Sequence, residues 1–482
     1  MRNIKRLSAA AAALTMAISM AACGSSSSSS SAADNGGAQT KVSGKDLDSS
    51  QQDVIDSIAG DSKPDDRKLT NTEIKWFSFW DINPTSSEDK DIGVDLALFK
   101  SKYNGTIKYI QTTYDTKFDD LAAAVIAGDS PDFCGADDMD MFPRGAIKNM
   151  IEPIDDYIDF NSDLWKGIKE ASDQFVYNGK HYVGISRVDP AYIWVYNKNV
   201  IEENGFTDPA ELWHNGQWNW DTFCDMCKEF ADPDNDKYAL DAWYYENALT
   251  ESTGLPLIGM KDGKIVNNID DPRLAKAQNM MYDLQLNHVV YPKNENNWNV
   301  RGGKDKWGTG LATGLTLFYP IGFWAIEDAP SVTAPFGNIA DGEVMFVPVP
   351  CAKDSDAQYI PSRIHGFCIV KGAKNPEGVA AWMDCTRYAE ADPKAKQVTI
   401  DQFTKDYGWT QEMLDMRDEI YAMAAEHPVF EFAIGINKDI SSMTDNVIKG
   451  TMHPADPKTW TAVVQENKKA LDYLIEEAQK NI

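Results

Sequence analysis

The sequence predicts an α/β protein made of two lobes, each built on a doubly wound and mainly parallel sheet. Its 482 residues exceed the roughly 250 to 300 at which a single hydrophobic core stops growing. Strand-like runs alternate with amphipathic helical stretches over residues 73–135, and this alternation is typical of a parallel sheet. The hydrophobic content of 43% and the charged content of 25% are those of a globular protein.

The net charge is strongly negative, with 46 basic against 74 acidic residues and a formal charge of -28. A surface of this sign repels phosphate backbones, so nucleic acid is not expected as a partner. The charge is consistent either with solubility alone or with a preference for neutral or cationic ligands. The chain also contains 14 Trp, and we expect some of them to line a site.

The first 22 residues have the pattern of a bacterial secretion signal. Arg2, Lys5 and Arg6 precede a short apolar run that ends in small residues before Cys23. The string MAAC that ends at Cys23 resembles a lipobox, although Leu is usual in place of its Met. The run is shorter than the ~20 residues of a membrane span. We therefore expect cleavage, lipidation of Cys23 and a position on the outer face of the bacterial cytoplasmic membrane.

Low-complexity sequence follows the signal. A run of serines dominates residues 23–45, which cannot bury a core and are predicted to be a flexible tether. Residues 46–69 form an N-terminal extension with a short predicted helix at 51–59.

The folded part is predicted to begin with a strand at residues 73–80, where EIKWFSFW alternates and then becomes apolar. A polar loop follows this strand. Ligands in open α/β sheets bind beyond the carboxyl ends of strands, so Trp80, Asp81 and Asn83 are candidate ligand contacts. Trp80 is equally well explained as a core residue.

The alternation continues with a helix at 91–103, a strand at 107–111 and a helix at 116–127, whose apolar face carries Phe118, Leu121, Ala122 and Val125. The stretch AGDSPDFCGADD then predicts a turn, a third strand and an acidic loop with Asp137 and Asp138. Two adjacent acids can contact a ligand or cap a helix, and both interpretations are retained.

The most informative stretch is residues 177–198, YNGKHYVGISRVDPAYIWVYNK. It predicts a strand that is interrupted at Asp189 and Pro190 and resumes through Tyr192 and Trp194, and such a strand can connect two lobes. NGKHYVGI followed by WVYNKNVIEENGF resembles the first interlobe crossing of the extracellular solute-binding proteins that serve ABC importers, the family that includes maltose-binding protein. Asp189, Tyr192 and Trp194 are therefore candidate ligand contacts.

The resemblance covers about residues 70–482 through motifs in the expected order. AGDSPDF is similar to the family's aGdaPDv motif, after which the loop contacts ligand, which implicates Asp137 and Asp138. WNWDTF at 218–223 is similar to tWtWdeF, a structural motif that precedes an Asp-capped helix. GEVMFVPVP resembles the second crossing, and residues 431–437 are expected to form a third.

Two further motifs imply aromatic ligand contacts in the second lobe. AWYYE presents Trp243, Tyr244 and Tyr245, in a region where sugar-binding relatives stack aromatic side chains on pyranose rings. Residues 307–324 are similar to F..GkaAM...g.W, whose last residue, Trp324 in this chain, is the stacking platform. Core packing is the alternative for Trp324 and for one or two of the other three.

The resemblance implies a type II periplasmic-binding-protein-like fold. The first lobe would span residues 70–188 and 348–425, and the second would span 189–347 and 426–482. On the return to the first lobe, Arg363 and His365 could reach the cleft, although a lone His is more often structural.

Catalytic and metal-binding motifs are absent from the sequence. No GxxxxGK[ST], HExxH or GxSxG string occurs, and the pair Cys224 and Cys227 lacks the second pair of a structural zinc site. DPDNDK at 232–237 resembles the start of a calcium loop, but Lys stands where Gly is required and Trp243 where a bidentate Glu belongs. We therefore expect no enzyme activity, no cofactor and no bound metal.

Together these features predict a monomeric, lipid-anchored binding protein that captures a sugar or an oligosaccharide between its lobes and delivers it to the permease of an ABC importer. A polyamine or a peptide is the alternative ligand, favoured if acids outnumber aromatics in the cleft. A glycoside hydrolase would need two facing carboxylates roughly 5 to 10 Å apart, and a surface adhesin would bind glycans without lobe closure.

Overall fold

The computed structural model describes residues 46–61, 66–83, 92–261, 263–292, 308–328 and 330–480. The predicted signal, Cys23, the tether and the start of the 307–324 motif lie outside these residues. None of the helices within them combines the length and the hydropathy that a membrane span needs.

The strands are, in chain order, β1 (Glu73–Ser78), β2 (Thr106–Gln111), β3 (Phe133–Gly135), β4 (Val176–Tyr177), β5 (Lys180–His181), β6 (Gly184–Pro190), β7 (Ile193–Asn197), β8 (Tyr238–Leu240), β9 (Ile258–Lys261), β10 (Lys264–Asn267), β11 (Thr316–Ile321), β12 (Val344–Val347), β13 (Ile360–Ile369) and β14 (Pro428–Phe430).

The α-helices are α1 (Ser49–Gly60), α2 (Val94–Tyr103), α3 (Lys117–Ala127), α4 (Arg144–Ile147), α5 (Lys169–Ser172), α6 (Lys198–Glu203), α7 (Pro209–His214), α8 (Trp220–Phe230), α9 (Tyr245–Glu251), α10 (Pro272–Leu286), α11 (Pro330–Thr333), α12 (Pro376–Ala391), α13 (Pro393–Asp406), α14 (Gln411–Glu426), α15 (Ala433–Ile436), α16 (Lys438–Ile448) and α17 (Trp460–Gln479). Short 3-10 helices cover Lys166–Ile168, Pro233–Asn235, Phe323–Ala325 and Gly450–Met452.

The first sheet has the order β14-β13-β3-β1-β2, and β6 also pairs with β13. β1 pairs in parallel with both β2 and β3, as the alternation of strands and helices predicted. β13 runs antiparallel to β3 and β6. We refer to this sheet and the helices packed on it as the first lobe.

The second sheet, the centre of the second lobe, has the order β12-β7-β11-β8. Only the β8 and β11 pair is parallel, and β7 is antiparallel to both β11 and β12. The prediction of a mainly parallel sheet is therefore wrong for this lobe. β7 enters from the first sheet and β12 leads back to it, so these two neighbouring strands run in opposite directions.

The chain passes between the two sheets at two places. β6 ends at Pro190 in the first sheet and β7 begins at Ile193 in the second. Residues 348–359 lead back from β12 to β13. After β14, the backbone N–H of Phe432 donates to the carbonyl of Ile258 (3.0 Å) in β9, which pairs only with β10 among the described strands, so the third crossing expected at 431–437 stays a prediction.

Helix α14, most of which the predicted bounds place in the first lobe, contacts both sheets: β6, β13 and β14 of the first and β12 of the second. Met413, Met416 and Ile420 are fully or almost fully buried in the cluster around β7 and β11. The chain has already reached this lobe by Trp409, whose indole N–H donates to the carbonyl of Ile326 at 3.0 Å. Towards the end of the helix, Ala424 is buried in the cluster that contains β6 and β13, and the boundary at 425 stays a prediction.

The tryptophans of the 218–223 motif are structural, as predicted. Trp218 and Trp220 are buried, and their indole N–H groups donate to the carbonyls of Pro348 and Pro350, both at 2.8 Å. The motif thereby joins the start of α8 to the second interlobe connection. The N-cap of α8 is Asn219, so the prediction of an Asp cap is wrong.

The N-terminal extension is anchored on the first lobe through α1. The helix begins with a capping box at Asp48. Ile55 and Ile58 are buried in the cluster that contains α2, and Lys405 of α13 pairs with Asp48 at 2.9 Å. The structure extends the helix predicted at 51–59 by two residues at its start and one at its end.

Candidate functional site

The first sheet presents the ends of three parallel strands along one edge. β1, β2 and β3 run in the same direction, so the residues that follow them in sequence lie near one another at this edge. They surround a concavity of about 370 Å³, its open mouth included, whose lining contains Phe79, Trp80, Lys117 and Asp138.

Three aromatic side chains are exposed at the ends of β1 and β2. Phe79 is 38% exposed, Trp80 39% and Tyr114 51%. Phe79 and Tyr114 meet edge to face with ring centroids 5.3 Å apart. The carbonyl of Trp80 accepts the indole N–H of the buried Trp76 at 3.0 Å, which fixes the backbone of Trp80 while its ring faces solvent. These rings are available to stack on a ligand.

Two acids at this edge share one lysine. The Nζ atom of Lys117 is 2.5 Å from an oxygen of Asp138 and 2.9 Å from an oxygen of Asp140. Burial opposes the ammonium charge, but the two carboxylates outweigh it and hold the pKa of Lys117 above its ordinary value. Neither acid caps α4, the next helix, whose N-cap is Pro143.

His365 is the partner of Asp137. Its Nδ1 atom is 3.3 Å from the carboxylate of Asp137, which also accepts the backbone N–H of Gly366 at 3.0 Å. Burial and the charge of Arg187 lower the pKa of His365, but Asp137 and Asp189 outweigh them and the net pKa lies above the ordinary value. The pair joins the loop after β3 to the interlobe strand β13.

The second sheet also gathers aromatic residues at one edge. β8 and β11 end at this edge and β7 begins there, because β7 is antiparallel to β11. Tyr192 and Tyr244 are stacked, with ring centroids 5.4 Å apart and planes at 23°. Trp243 meets Tyr244 edge to face at 6.2 Å.

Trp324 stands at the same edge, in the 3-10 turn after β11, and is 46% exposed. Its indole ring lies directly against Gly322. A Cβ atom at Gly322 would be 2.3 Å from the Nε1 atom of Trp324, closer than any such contact in a folded protein. Glycine is therefore required at position 322 for Trp324 to hold this place.

Arg363 connects the two edges. It lies on β13 in register with Asp189, and its guanidinium carbon is 5.6 Å from the ring centroid of Tyr192. Its charge interacts with Asp138 of the first lobe and with the buried Glu251 of the second. His365, two residues along the same strand, shares its face with Arg363.

The family of the chain is shown by its sequence. Residues 96–399, which are more than half of the chain, match the bacterial extracellular solute-binding proteins. The chain belongs to this family. No curated protein sequence matches it.

Solved structures of low sequence identity share the fold of this solute-binding protein. A Thermotoga lettingae ABC transporter solute-binding protein bound with alpha-D-tagatose has 18% identity and a TM-score of 0.59, over 84% of this chain and 100% of the other. A Listeria monocytogenes ABC substrate-binding protein in complex with cycloalternan has 16% identity and a TM-score of 0.58, over 85% of this chain and 98% of the other. The galacto-N-biose-/lacto-N-biose I-binding protein of Bifidobacterium longum, in complex with lacto-N-biose, has 14% identity and a TM-score of 0.54, over 85% of this chain and 98% of the other. The two-lobed α/β class predicted from the sequence is confirmed.

Two of the predicted aromatic contacts of the solute-binding protein lie in its core. Trp194 is 0% exposed and Tyr245 is 1% exposed, both in the cluster of the second lobe. Trp194 lies on β7 between β11 and β12, and Tyr245 is the first residue of α9. Their prediction as ligand contacts is wrong because both side chains are covered by the lobe itself.

Asp81 and Asn83 are also turned away from the edge. The carboxylate of Asp81 accepts the backbone and side-chain N–H groups of Asn83, both at 2.9 Å. Asn83 in turn donates to the carbonyl of Ile107 at the start of β2 (3.1 Å). The chain thus folds back along β2, and the polar groups predicted to contact ligand instead form a local turn.

Asp189 is engaged within the interlobe strands. Its carboxylate forms a bidentate pair with Arg187, in which the Nη2 to Oδ2 distance is 3.2 Å. Arg187 also bonds Glu390 of α12. Burial raises the pKa of Asp189, but Arg187 and His365 outweigh it and the pKa is lowered. The structure therefore gives Asp189 a role in joining β6 to α12, not the predicted contact with ligand.

The acidic loop at 232–237 folds as a tight turn. The side chain of Asp232 accepts the amide of Asn235 at 2.6 Å, and the backbones of Asp232 and Lys237 form a bridge. Across the described ranges, no group of three or more metal-ligating side chains is brought together.

Four residues of the first-lobe edge were missed from the sequence: Phe79, Tyr114, Lys117 and Asp140. Phe79 was assigned to the first strand, but β1 ends one residue earlier. Tyr114 lies three residues beyond β2, so the rule that nominated Trp80 would also have nominated it. Lys117 begins α3, and only the fold brings its side chain to the acids that follow β3.

Proposed function

We propose that this chain is the lipid-anchored substrate-binding component of an ABC importer and that it captures a saccharide between its two lobes. The observation that carries the proposal is the pair of aromatic edges. Phe79, Trp80 and Tyr114 line one edge, and Trp324 and Tyr244 line the other, where Tyr244 stacks on Tyr192, which is only 8% exposed. Sugar rings have apolar C–H faces that stack on such side chains and hydroxyl edges that need hydrogen bonds.

Charge in the cleft favours a neutral ligand over a cationic one. Asp137, Asp138 and Asp140 are already bonded to His365 or Lys117. The groups left exposed at the two edges are mainly aromatic. A polyamine would need free carboxylates in this place, so the alternative ligand class is disfavoured.

A glycoside hydrolase is disfavoured for the same reason. Retaining and inverting enzymes both need one carboxyl that donates a proton and a second, free carboxylate. The edge acids Asp137, Asp138 and Asp140 are bonded to His365 or Lys117 at 2.5 to 3.3 Å. Relatives of the same fold are described with cycloalternan, tagatose and lacto-N-biose, which adds support for a saccharide.

Capture would proceed by closure of the lobes around the ligand. Aromatic rings from the two edges stack on the sugar, and Arg363 and His365 on β13 supply polar groups between them. The backbone would bend at the two connections between the sheets and at the third crossing that the sequence predicts at 431–437. A ligand shifts the lobes toward the closed form only if it binds that form more tightly.

The partners follow from this function. Lipidation at Cys23 and the tether at 23–45 would hold the monomer on the outer face of the cytoplasmic membrane. The closed, loaded form would deliver its ligand to the permease subunits of the importer.

A thermal-shift screen of residues 46–482 against mono-, di- and oligosaccharides, polyamines and peptides tests the proposal. We expect a saccharide to raise the melting temperature through linkage and to be recovered unhydrolysed. Trp324→Ala should abolish the shift. Tyr473→Ala is the matched control, because Tyr473 is 61% exposed on α17, outside the two edges. Stabilisation by polyamines alone would overturn the assignment of a saccharide.

A further inference from the structure

The ammonium group of Lys117 is enclosed on four sides. Two carboxylates, Asp138 and Asp140, lie 2.5 Å and 2.9 Å from its Nζ atom. Two aromatic rings complete the enclosure, with Nζ 4.6 Å from the centroid of Tyr114 and 5.2 Å from that of Phe79. We call these four side chains the ammonium cage.

The cage is assembled from separate elements at the proposed ligand site. Phe79 follows β1, Tyr114 follows β2, and the two acids follow β3. The side chain of Lys117 is only 14% exposed and that of Asp140 only 8%, whereas Asp138 is 28% exposed toward the concavity. Four groups from three strand ends therefore converge on one buried cation.

The chemistry of the cage is that of a receptor for organic ammonium ions. Carboxylates form charge-assisted hydrogen bonds to N–H groups, and aromatic faces attract cations through their quadrupoles. In this chain the receptor is filled from within, because the cation belongs to the protein.

We propose that Lys117 is the built-in occupant of this cage and thereby determines the charge selectivity of the cleft. With Lys117 in place, the described cage residues of the first-lobe edge offer aromatic faces and two carboxylates that are both bonded to Lys117, so this part of the edge accepts neutral rings and excludes cations. Without Lys117, the same four side chains form an empty ammonium site. The assignment of selectivity rests on the proposed function, whereas the properties of the cage do not.

Removal of Lys117 takes the bonded cation away from Asp138 and Asp140 and leaves them the weaker charge interactions with Arg363 and Arg144. Asp140 is buried, and burial together with the charge of Asp138 already raises its pKa despite Lys117. An acid pair that has lost its bonded cation is unfavourable in this position, and a small alkylammonium ion of the right length would relieve it.

Chemical rescue of Lys117→Ala in the full chain is the decisive test. We expect the variant to melt at a lower temperature than the wild type and to regain about half of the loss or more with n-butylammonium at tens of millimolar. n-Butanol, which has the same shape without the charge, should not rescue. The wild type should not respond to the amine.

Lys228→Ala is the matched control. Lys228 pairs with Asp283 at 2.5 Å but is 39% exposed and lies outside the cage. We expect no amine-dependent recovery in this variant. The proposal for the ammonium cage would be overturned if the amine raised the melting temperature of both variants equally, or did not raise that of Lys117→Ala.

Lys117→Met keeps the aliphatic stem and provides a second test if the alanine variant does not fold. We expect its affinity for 1,4-diaminobutane to exceed that of the wild type by about tenfold or more, because Asp138 loses the ammonium group to which it is bonded. An unchanged diamine affinity would overturn the role in selectivity. Failure of every saccharide to bind the wild type would instead refute the proposed function while leaving the amine rescue intact.

Discussion

The carboxylate of Glu431 accepts the backbone N–H of Leu257 at 2.9 Å, across 174 residues of sequence. It also accepts the N–H groups of Ile258 at 3.2 Å and Ala433 at 3.0 Å. One buried side chain thus joins the segment after β14 to the start of β9. Because this carboxylate is buried, the joint is sensitive to pH.

We expect Glu431 to make the stability of the protein fall as pH rises from about 4.5 to about 7. Burial raises the pKa of Glu431 to about 7, and its N–H donors offset only part of this rise. The unfolded chain loses the same proton near pH 4.3, so the folded state binds more protons throughout this window. Ionisation in the folded state therefore costs roughly 3 kcal/mol by pH 8.

Glu431→Gln, which cannot ionise, tests this dependence. The free energy of unfolding of the variant and of the wild type is measured by urea denaturation between pH 4 and pH 8. Relative to the wild type, the variant should gain roughly 3 kcal/mol over this range as pH rises. Glu426→Gln, on a side chain that is 75% exposed, is the control. A pH-independent difference for Glu431→Gln would contradict the expectation.

Gly322→Ala should displace Trp324 without unfolding the protein. The new methyl group would meet the indole at 2.3 Å, and Trp324, on an exposed turn, is the group that can move. We expect ligand affinity to fall by about tenfold or more, measured by calorimetry with the saccharide from the screen. Gly60→Ala is the control, since a methyl group there meets nothing within 4 Å. Unaltered affinity in Gly322→Ala would show that the position of Trp324 does not matter.

Replacement by Phe should affect stability at Trp194 and ligand affinity at Trp324. Trp194 is fully buried, and its Nε1 has no hydrogen-bond partner in the described part of the chain. Trp194→Phe therefore removes packing only and should lower the free energy of unfolding by about 1 to 2 kcal/mol with affinity unchanged. Trp324→Phe should lower affinity and leave stability unchanged. Chemical denaturation and calorimetry on both variants separate the two effects.

Asp189→Asn should destabilise the protein by about 2 kcal/mol. Asp189 and Arg187 are 20% and 29% exposed, so the cost falls below that of a fully buried pair. The double variant with Arg187→Gln should lose less free energy of unfolding than the two single variants lose together. A double-mutant cycle measures this coupling. Asp163→Asn, in a pair whose acid is 96% exposed, should cost less than about 0.5 kcal/mol. If the losses of the two single variants were additive, Asp189 and Arg187 would not stabilise each other.

The order of strands and helices in the first lobe was predictable because each signal is local. Alternating apolar residues mark β1, and an apolar face with Leu121 at its centre marks α3, where Leu121 is fully buried. The exposure of individual tryptophans was not predictable. Trp194 and Trp324 are both large aromatics close to strands, and only the pairing of β7 with two neighbours buries the first and leaves the second exposed.

The polar part of the site was harder to predict because its partners are distant in sequence. Asp138 could be nominated from the loop after β3, but its pairing with Lys117 depends on where α3 begins relative to that loop. Asp81 and Asn83 have the right residue types after the right strand. Their own hydrogen bonds reverse the chain, which a rule based on strand ends does not include.

The docking of α1 has a mechanical consequence. The helix is clamped to α2 and α13 by Ile55, Ile58 and the ion pair between Asp48 and Lys405. In the proposed lipid-anchored form, force along the chain that precedes α1 would therefore act on the first lobe. The second lobe would be the one that moves relative to the membrane during the proposed closure.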